Sequence, residues 1–505
     1  MDELSTKNIK ESVNLKFFDK LMDLSVILIT IFSGILTLSQ CFDNNFWGDE
    51  AYTILMVNSA KNLKEVAMCD LSNPPIMFLA LKMVTVLFGQ NYFAYHLASA
   101  IPSLILLLFS VCCVKKEFGR TTSFIFTLFL TITVTARTYA VEVRMYAWAS
   151  MLFVLCFYEG YKLLKTKGKV VLHWVLFCIF GLGASYTHYF TFASTILLYC
   201  FVFLGLILQD RKNFRYCLGC AVVSLVAYLP WLSIFFTAVA DASAAKSWIQ
   251  NIYPIKDGFC YIFQNPLVVV IFGIFLITSF VYSYGSVAMI KERNFSIKKV
   301  FFNFAKNEDS IMWMVLSVCF TAFFLLVFEV IYGLFKQPIF VDRYIYPVAV
   351  AMWLAFAMLV GNVKNYAIKR YTAIGVVFAL CMLYANDFVD VMTKYYERNQ
   401  QTQAVVDMIE EAKLEGNVYL YTDVNHYLWT VFDYYFPEIP YESVNLEQGY
   451  KISDTAANTV FLFMSEKMED VKLDYYGEVT GMDLEFLYET LFAEARTYLY
   501  KAKMK

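Results

Sequence analysis

Asp49 and Glu50 stand side by side in Phe46-Trp47-Gly48-Asp49-Glu50-Ala51-Tyr52, directly after the first long apolar run of the chain. A carboxylate pair at a membrane boundary, among segments that are mostly apolar, is costly unless it binds something or moves a proton. Three further polar groups occur where apolar runs begin. Ala140-Val141-Glu142-Val143-Arg144-Met145-Tyr146 offers a guanidinium, whose planar fork of donors suits a phosphate. Glu142 and Arg144 are two apart, so on a helix they point to different faces and a simple ion pair between them is disfavoured. Ser185-Tyr186-Thr187-His188-Tyr189 sets one histidine among aromatic hydroxyls, able to hydrogen-bond a phosphate or to ligate a divalent cation with Asp70 or Glu142. Val341-Asp342-Arg343-Tyr344 supplies a second arginine, following a loop with Lys336, a weaker candidate for the same anion.

Each group has a plainer alternative. Asp49 can cap a helix, Glu142 and Arg144 can anchor at an interface, and the tyrosines can belong to an aromatic belt. The apolar pattern predicts an amphipathic surface helix from about 50 to 66, with Asp49 at its N-terminus, where the partial positive charge of the helix end favours an ionised carboxylate. The stretch Cys69-Asp70-Leu71-Ser72-Asn73-Pro74-Pro75 follows it.

The elements that must position these groups are read from composition. The 505 residues are 59% hydrophobic, 18% aromatic and 17% charged, the range of polytopic helical membrane proteins. The net charge is -2, with Lys and Arg collected in short clusters between the apolar runs, and no basic face suited to nucleic acid is present. Apolar runs near the ~20 residues needed to cross a bilayer lie at 21–40, 92–114, 120–137, 145–163, 171–187, 190–209, 214–236, 264–290, 311–334, 344–361 and 371–388. They predict about eleven transmembrane helices. The apolar stretch Pro75–Phe88 is short and holds Lys82, so it is expected on the outer leaflet. That choice puts the lysine and arginine clusters and residues 1–20 on the cytoplasmic side of the plasma membrane. The loop 41–91, the segment 137–144 with Arg137, His188 and Arg343 then share the outer face.

Of the twelve cysteines, most fall in apolar runs; Cys41 and Cys69 flank the acidic loop and could be bridged. After the transmembrane domain, 21–389, the composition changes. Strand-like Asn417–Thr422 and Asn458–Met464, with polar helical stretches at Gln403–Glu415 and Asp483–Lys501, predict a small extracytoplasmic α/β domain over 390–505 with an accessory role.

Taken in order, Gly48-Asp49-Glu50-Ala51-Tyr52, the Asp70 to Pro75 stretch, Glu142 to Tyr146, Tyr186 to Tyr189 and Arg343-Tyr344 resemble the motifs of the multi-span GT-C glycosyltransferases. The branch is that of the protein O-mannosyltransferases and the lipid A aminoarabinose transferase, and the resemblance covers approximately residues 20–360. It implies transfer of a sugar from a polyprenyl-phosphate donor to the hydroxyl of a glycan, lipid or protein acceptor at the outer face, with inversion. It carries the general base onto Asp49 and leaving-group stabilisation onto Arg144, Arg343 and His188. Glu50, Asp70, Asn73, Glu142, Tyr146, Tyr189, Lys336 and Tyr344 become substrate-binding candidates. No fixed cofactor is implied; a divalent metal would fall to Asp70, Glu142 and His188. Relatives often carry His before the Pro-Pro pair where this chain has Asn73, a poor metal ligand. Trp248 and Tyr253 are candidates to stack on a sugar. The alternative, a polyprenyl-linked sugar flippase, would place charges along a path through the membrane. Mid-span charges are few here, Glu329 being the clearest. A receptor with an outer sensor domain would leave Asp49 and Glu50 unexplained.

Overall fold

The computed structural model describes residues 2–244, 249, 251–284, 309–423, 428–444, 459–467 and 482–504. Trp248 and the end of the expected span 264–290 lie outside them. Among the described residues, seven helices are long and apolar enough to cross a membrane, or nine if each of two bent pairs is one span. Among the described residues every expected span but 120–137 coincides with a single helix over most of its length, although Tyr146–Lys165 and Val171–Ser185 are not among those seven to nine. The first carries Glu159, Lys162 and Lys165, and the second has only 15 residues.

The bundle is layered by burial. On the first helix, Asp2–Gln40, Leu24, Leu28, Ile31 and Ile35 are exposed, an apolar exterior suited to lipid. Tyr346–Gly361 is buried on every face, as expected of a helix surrounded by others. Its Trp353 stacks on Phe129 at 5.8 Å and donates to the Ile262 carbonyl at 2.7 Å.

Two expectations about the outer loops are corrected. The span 120–137 is broken at Thr133 into Arg120–Ile132 and Val134–Val141, bent by 70°. Arg137, expected on the outer face, is buried inside the bend. It donates to the Leu130 carbonyl at 2.9 Å, Ser33 Oγ at 3.2 Å and Thr37 Oγ1 at 3.1 Å. A kink leaves carbonyls without helical partners, and this guanidinium takes one of them. The single helix expected over 50–66 is two, Gly48–Ser59 and Leu63–Ala67. Lys82, from the neighbouring helix Ile76–Phe88, donates to the carbonyls of Val57 and Ala60 at the end of the first. Asn62 caps the second by accepting from the Glu65 amide.

The C-terminal unit is a five-stranded sheet ordered β2-β1-β3-β5-β4: β1 Val418–Asp423, β2 Tyr441–Val444, β3 Thr459–Met464, β4 Met482–Phe492 and β5 Ala495–Met504. Strands β1, β2 and β3 are parallel, and β4 and β5 close it as an antiparallel hairpin. Asp483–Lys501, expected as helix, is that hairpin. Its turn residues Ala493 and Glu494 both have positive φ, 50° and 65°. Such turns ordinarily advertise themselves by Asn-Gly or Asp-Gly, which this turn lacks. The 50-residue helix Tyr366–Glu415 runs from the apolar bundle onto the sheet, so position 390 falls within it. Its Val405, Ile409 and Ala412 share a core with Leu420, Phe432, Phe461, Phe463 and Leu499.

Candidate active site

Asp49 lies in the first turn of Gly48–Ser59. Glu50, not Asp49, performs the helix cap: Glu50 Oε2 accepts from the Trp47 amide at 3.2 Å, and Oε1 accepts from the Val143 amide at 2.6 Å. The second bond pins the acidic loop to the segment carrying Glu142 and Arg144. Burial, and next the nearby Glu142, raise the Glu50 carboxyl well above its usual range. The cap alternative for Asp49 is thereby removed, and its side chain is left 39% exposed.

Asp49 faces two guanidiniums. Its Oδ2 is 3.7 Å from Nη2 of Arg144 and 3.7 Å from Nη2 of Arg343, ion-pair contacts too long for hydrogen bonds. Arg144 is held from behind, Nη1 donating to Thr53 Oγ1 at 2.8 Å and to the Asp49 carbonyl at 3.2 Å. Arg343 lies over the Trp47 ring at 5.4 Å. The Nε of both arginines is buried without a hydrogen-bond partner. Such orphaned donors on a cation ask for an anion that brings several acceptors.

Aromatic side chains wall the cluster. His188 lies 4.9 Å from the Tyr344 ring and 5.9 Å from each of the Tyr146 and Phe190 rings. Burial, followed by the fields of Arg144 and Arg343, pushes His188 down to about 3. It is therefore neutral, with Nδ1 buried and unpartnered. Glu142 is pushed up to about 8, chiefly by burial and then by Glu494.

The sequence candidates thus divide. Asp49, Arg144, His188, Arg343, Tyr146 and Tyr344 converge, with Glu50 and Glu142 behind them. Asp70 is satisfied locally by Ser72 and Asn73, at 2.9 Å from both the Ser72 amide and Asn73 Nδ2. That loop is joined to the histidine segment by Tyr189 Oη donating to the Leu71 carbonyl and by the Ile76 amide donating to the Tyr186 carbonyl. Lys336 is exposed after its helix. The Tyr253 amide donates to Glu329 Oε1, which gives the mid-span acid a structural partner. Trp47 and Thr53 were missed; Thr53 stands four residues after Asp49, on the same helix face.

Among the described residues, no group of three or more His, Cys, Asp or Glu could hold a metal ion. Asp70 is engaged by Ser72 and Asn73, while Glu142 and His188 feel the two arginines, so the donor set does not fit a cation. Cys41 and Cys69 are both free thiols.

The C-terminal unit fixes the chain leading into Asp49. Asn44 donates its amide to Asn399 Oδ1, Thr402 donates to Asn45 Oδ1, and the Phe46 amide donates to Tyr435 Oη. Thr430 donates to the Gly48 carbonyl.

No protein-family profile and no curated protein sequence matches the chain. Its fold is similar to the crystal structure of ArnT from Cupriavidus metallidurans in the apo state, with a TM-score of 0.55 at 12% identity over 94% of this chain and 97% of that one. The same protein bound to undecaprenyl phosphate gives 0.53 at 11% identity, with the same coverage. The chain is thus a multi-pass helical membrane protein with a small C-terminal α/β unit, and its fold is similar to that of ArnT.

Proposed function

We propose that the chain is a glycosyltransferase that takes a sugar from a polyprenyl-phosphate donor and moves it, with inversion, to an acceptor hydroxyl on the outer face of the plasma membrane. The observation that carries this reading is the pair of guanidiniums on Asp49, one buried and one half-buried, each with a buried, unpartnered Nε. The likeness to a protein solved with undecaprenyl phosphate agrees with it.

The chemistry follows from the charges. The donor phosphate takes the donors of Arg144 and Arg343 that point toward Asp49 and fills their vacant Nε positions. The N-terminus of Gly48–Ser59 adds partial positive charge. Asp49, released from its ion pairs, accepts the proton of the acceptor hydroxyl. The acceptor oxygen bonds to the anomeric carbon as the bond from that carbon to the phosphate oxygen breaks, and polyprenyl phosphate leaves with the electron pair. The guanidiniums stabilise the charge growing on the leaving group in a site partly shielded from water. His188, being neutral, contributes a hydrogen bond rather than charge. No step is routed through a metal.

The test is consumption of labelled polyprenyl-phosphate sugars by the purified protein in lipid, with membrane extract as acceptor source. Wild type should turn over at least one donor, Arg343→Gln should bind it more weakly, and Asp49→Asn should bind without turnover. Binding of the panel without consumption by wild type would refute the transferase and favour the flippase.

A further inference from the structure

Trp47, whose ring faces Arg343, also lines a cavity of about 250 Å³ that the chemistry above leaves unused. Two parts of the chain build it. Gln40, Glu50, His96 and Glu142 come from the helical bundle and its outer loops; Asp387, Arg398 and Glu494 come from the long helix and the hairpin turn.

The wall offers three buried acceptors without partners, on Gln40, His96 and Glu142, against one such donor, Nε of Arg398, which a hydroxyl oxygen of a ligand can meet. Both lining cations are already paired, Lys394 to Asp390 at 2.7 Å and Arg398 to Glu494 at 2.9 Å. Glu50, Glu142 and Asp387 are left without a cation among the lining residues. His96 is only 2% exposed and its ring is fixed by stacking on Phe46 at 4.6 Å. Its Nδ1 lies 2.8 Å from the Val141 carbonyl, which can only accept, so that nitrogen carries the proton. Nε2 is then a lone-pair acceptor, buried and without a hydrogen-bond partner. Gln40, 3% exposed, leaves Oε1 in the same condition, and so does Glu142 with its Oε1. Buried acceptors of this kind are costly unless a ligand brings donors to them.

Glu494 reaches the cavity from a strained backbone. It and Ala493 hold positive φ without being glycine, a conformation that persists only where surrounding structure enforces it and that clusters at functional sites. The enforcing contacts run to the long helix: the Ala493 amide donates to Thr402 Oγ1 at 3.2 Å, and the Leu491 amide donates to Gln401 Oε1 at 2.9 Å. Thr402 in turn donates to Asn45 at 2.7 Å, two residues before Trp47.

We propose that this cavity between the bundle and the C-terminal unit binds the acceptor, and that the acceptor carries a protonated amine among its hydroxyls. The identification as acceptor rests on the transferase reading; the class of ligand rests on the cavity. Trp47 and Glu142 stand between the two sites, so an acceptor seated here presents a hydroxyl to Asp49 while its amine meets the carboxylates of Glu494 and Asp387 and its other hydroxyls meet the neutral Glu142 carboxyl. The C-terminal unit then selects the acceptor instead of serving as an accessory.

The test uses the full chain in lipid nanodiscs and two probes that differ in one group, methyl glucosaminide and methyl glucoside, titrated where the amine is protonated. Undecaprenyl phosphate is titrated in parallel. The glucosaminide should bind at least about tenfold tighter than the glucoside, and Glu494→Gln should remove roughly tenfold of that preference, the loss of one charge-assisted hydrogen bond. Affinity for undecaprenyl phosphate should not change. Asp387→Asn, on the exposed face of the long helix, makes the same test should Glu494→Gln fail to fold. Equal binding of the two sugars, or a preference untouched by both substitutions, overturns this inference while leaving the transferase standing. Failure of undecaprenyl phosphate to bind wild type overturns the transferase reading instead.

Discussion

Replacing Asp49 by Asn separates the two roles proposed for it, because they have opposite signs. In the donor-free protein the carboxylate competes with any phosphate for Arg144 and Arg343, each 3.7 Å away. At that distance a unit pair is worth about 1 kcal/mol in a water-like dielectric and about 4 at an effective dielectric of 20. The Asp49 side chain is 39% exposed, so the screened figure governs. Losing two such pairs frees about 1–2 kcal/mol for an incoming anion, so undecaprenyl phosphate should bind Asp49→Asn roughly 5- to 30-fold more tightly than wild type. Removing the base should lower turnover by about 10²- to 10⁴-fold. Calorimetry of undecaprenyl phosphate binding in nanodiscs reads the first effect and single-turnover donor consumption the second. Weaker phosphate binding in the variant would refute the competition for the guanidiniums, and turnover close to wild type would refute Asp49 as base.

Burial raises Glu142 from its usual 4.5 to about 8 and Asp43 from 3.8 to about 7. The stability these acids contribute is full below their ordinary values and is lost as pH rises through about 8 and about 7. Wild type should therefore lose melting temperature between pH 5 and 9 relative to Glu142→Gln, by at most about 1.4 kcal/mol per pH unit; a difference independent of pH would contradict the assignment. His188 has the opposite sign. Held down to about 3, it contributes stability present above its ordinary 6.5 and lost as pH falls through about 3, so His188→Gln should flatten the acid limb of the melting curve. Arg137→Ala strips partners from the Leu130 carbonyl and two hydroxyls and leaves a hole at the bend, and should cost about 3–5 kcal/mol by thermal unfolding in detergent. Glu50→Gln sets an amide N–H₂ against the Trp47 or Val143 N–H, and should lower the melting temperature while leaving Arg144 and Arg343 in place.

Much of the architecture was legible because lipid imposes strong rules on sequence. Among the described residues the apolar runs became helices, one of them broken at Thr133, since an apolar segment in a bilayer must satisfy its backbone internally. The strands Val418–Asp423 and Thr459–Met464 were visible in their β-branched and aromatic runs. The catalytic candidates were legible as charges at the ends of apolar runs, because such charges are rare and costly. Less visible was whatever depended on a partner distant in the chain. Lys82 ends a helix some twenty residues before it, and Arg137 is drawn inward by hydroxyls of the first helix. The Ala493-Glu494 turn is enforced by Gln401 and Thr402, so its hairpin carries no local turn signal and reads as helix.

The order of residue types along the chain determined which side chains could do chemistry here: one acid opening a helix, two arginines and a histidine at span boundaries. Tertiary structure alone decided their division of labour. It turned Glu50 inward as the cap, left Asp49 facing both guanidiniums, and joined Glu142 to His96 and Glu494 around one cavity. The physical reason is that a carboxylate becomes a cap, an ion-pair partner or a cavity wall according to the donors and cations that surround it. Those neighbours come from segments tens to hundreds of residues apart, which local periodicity does not encode.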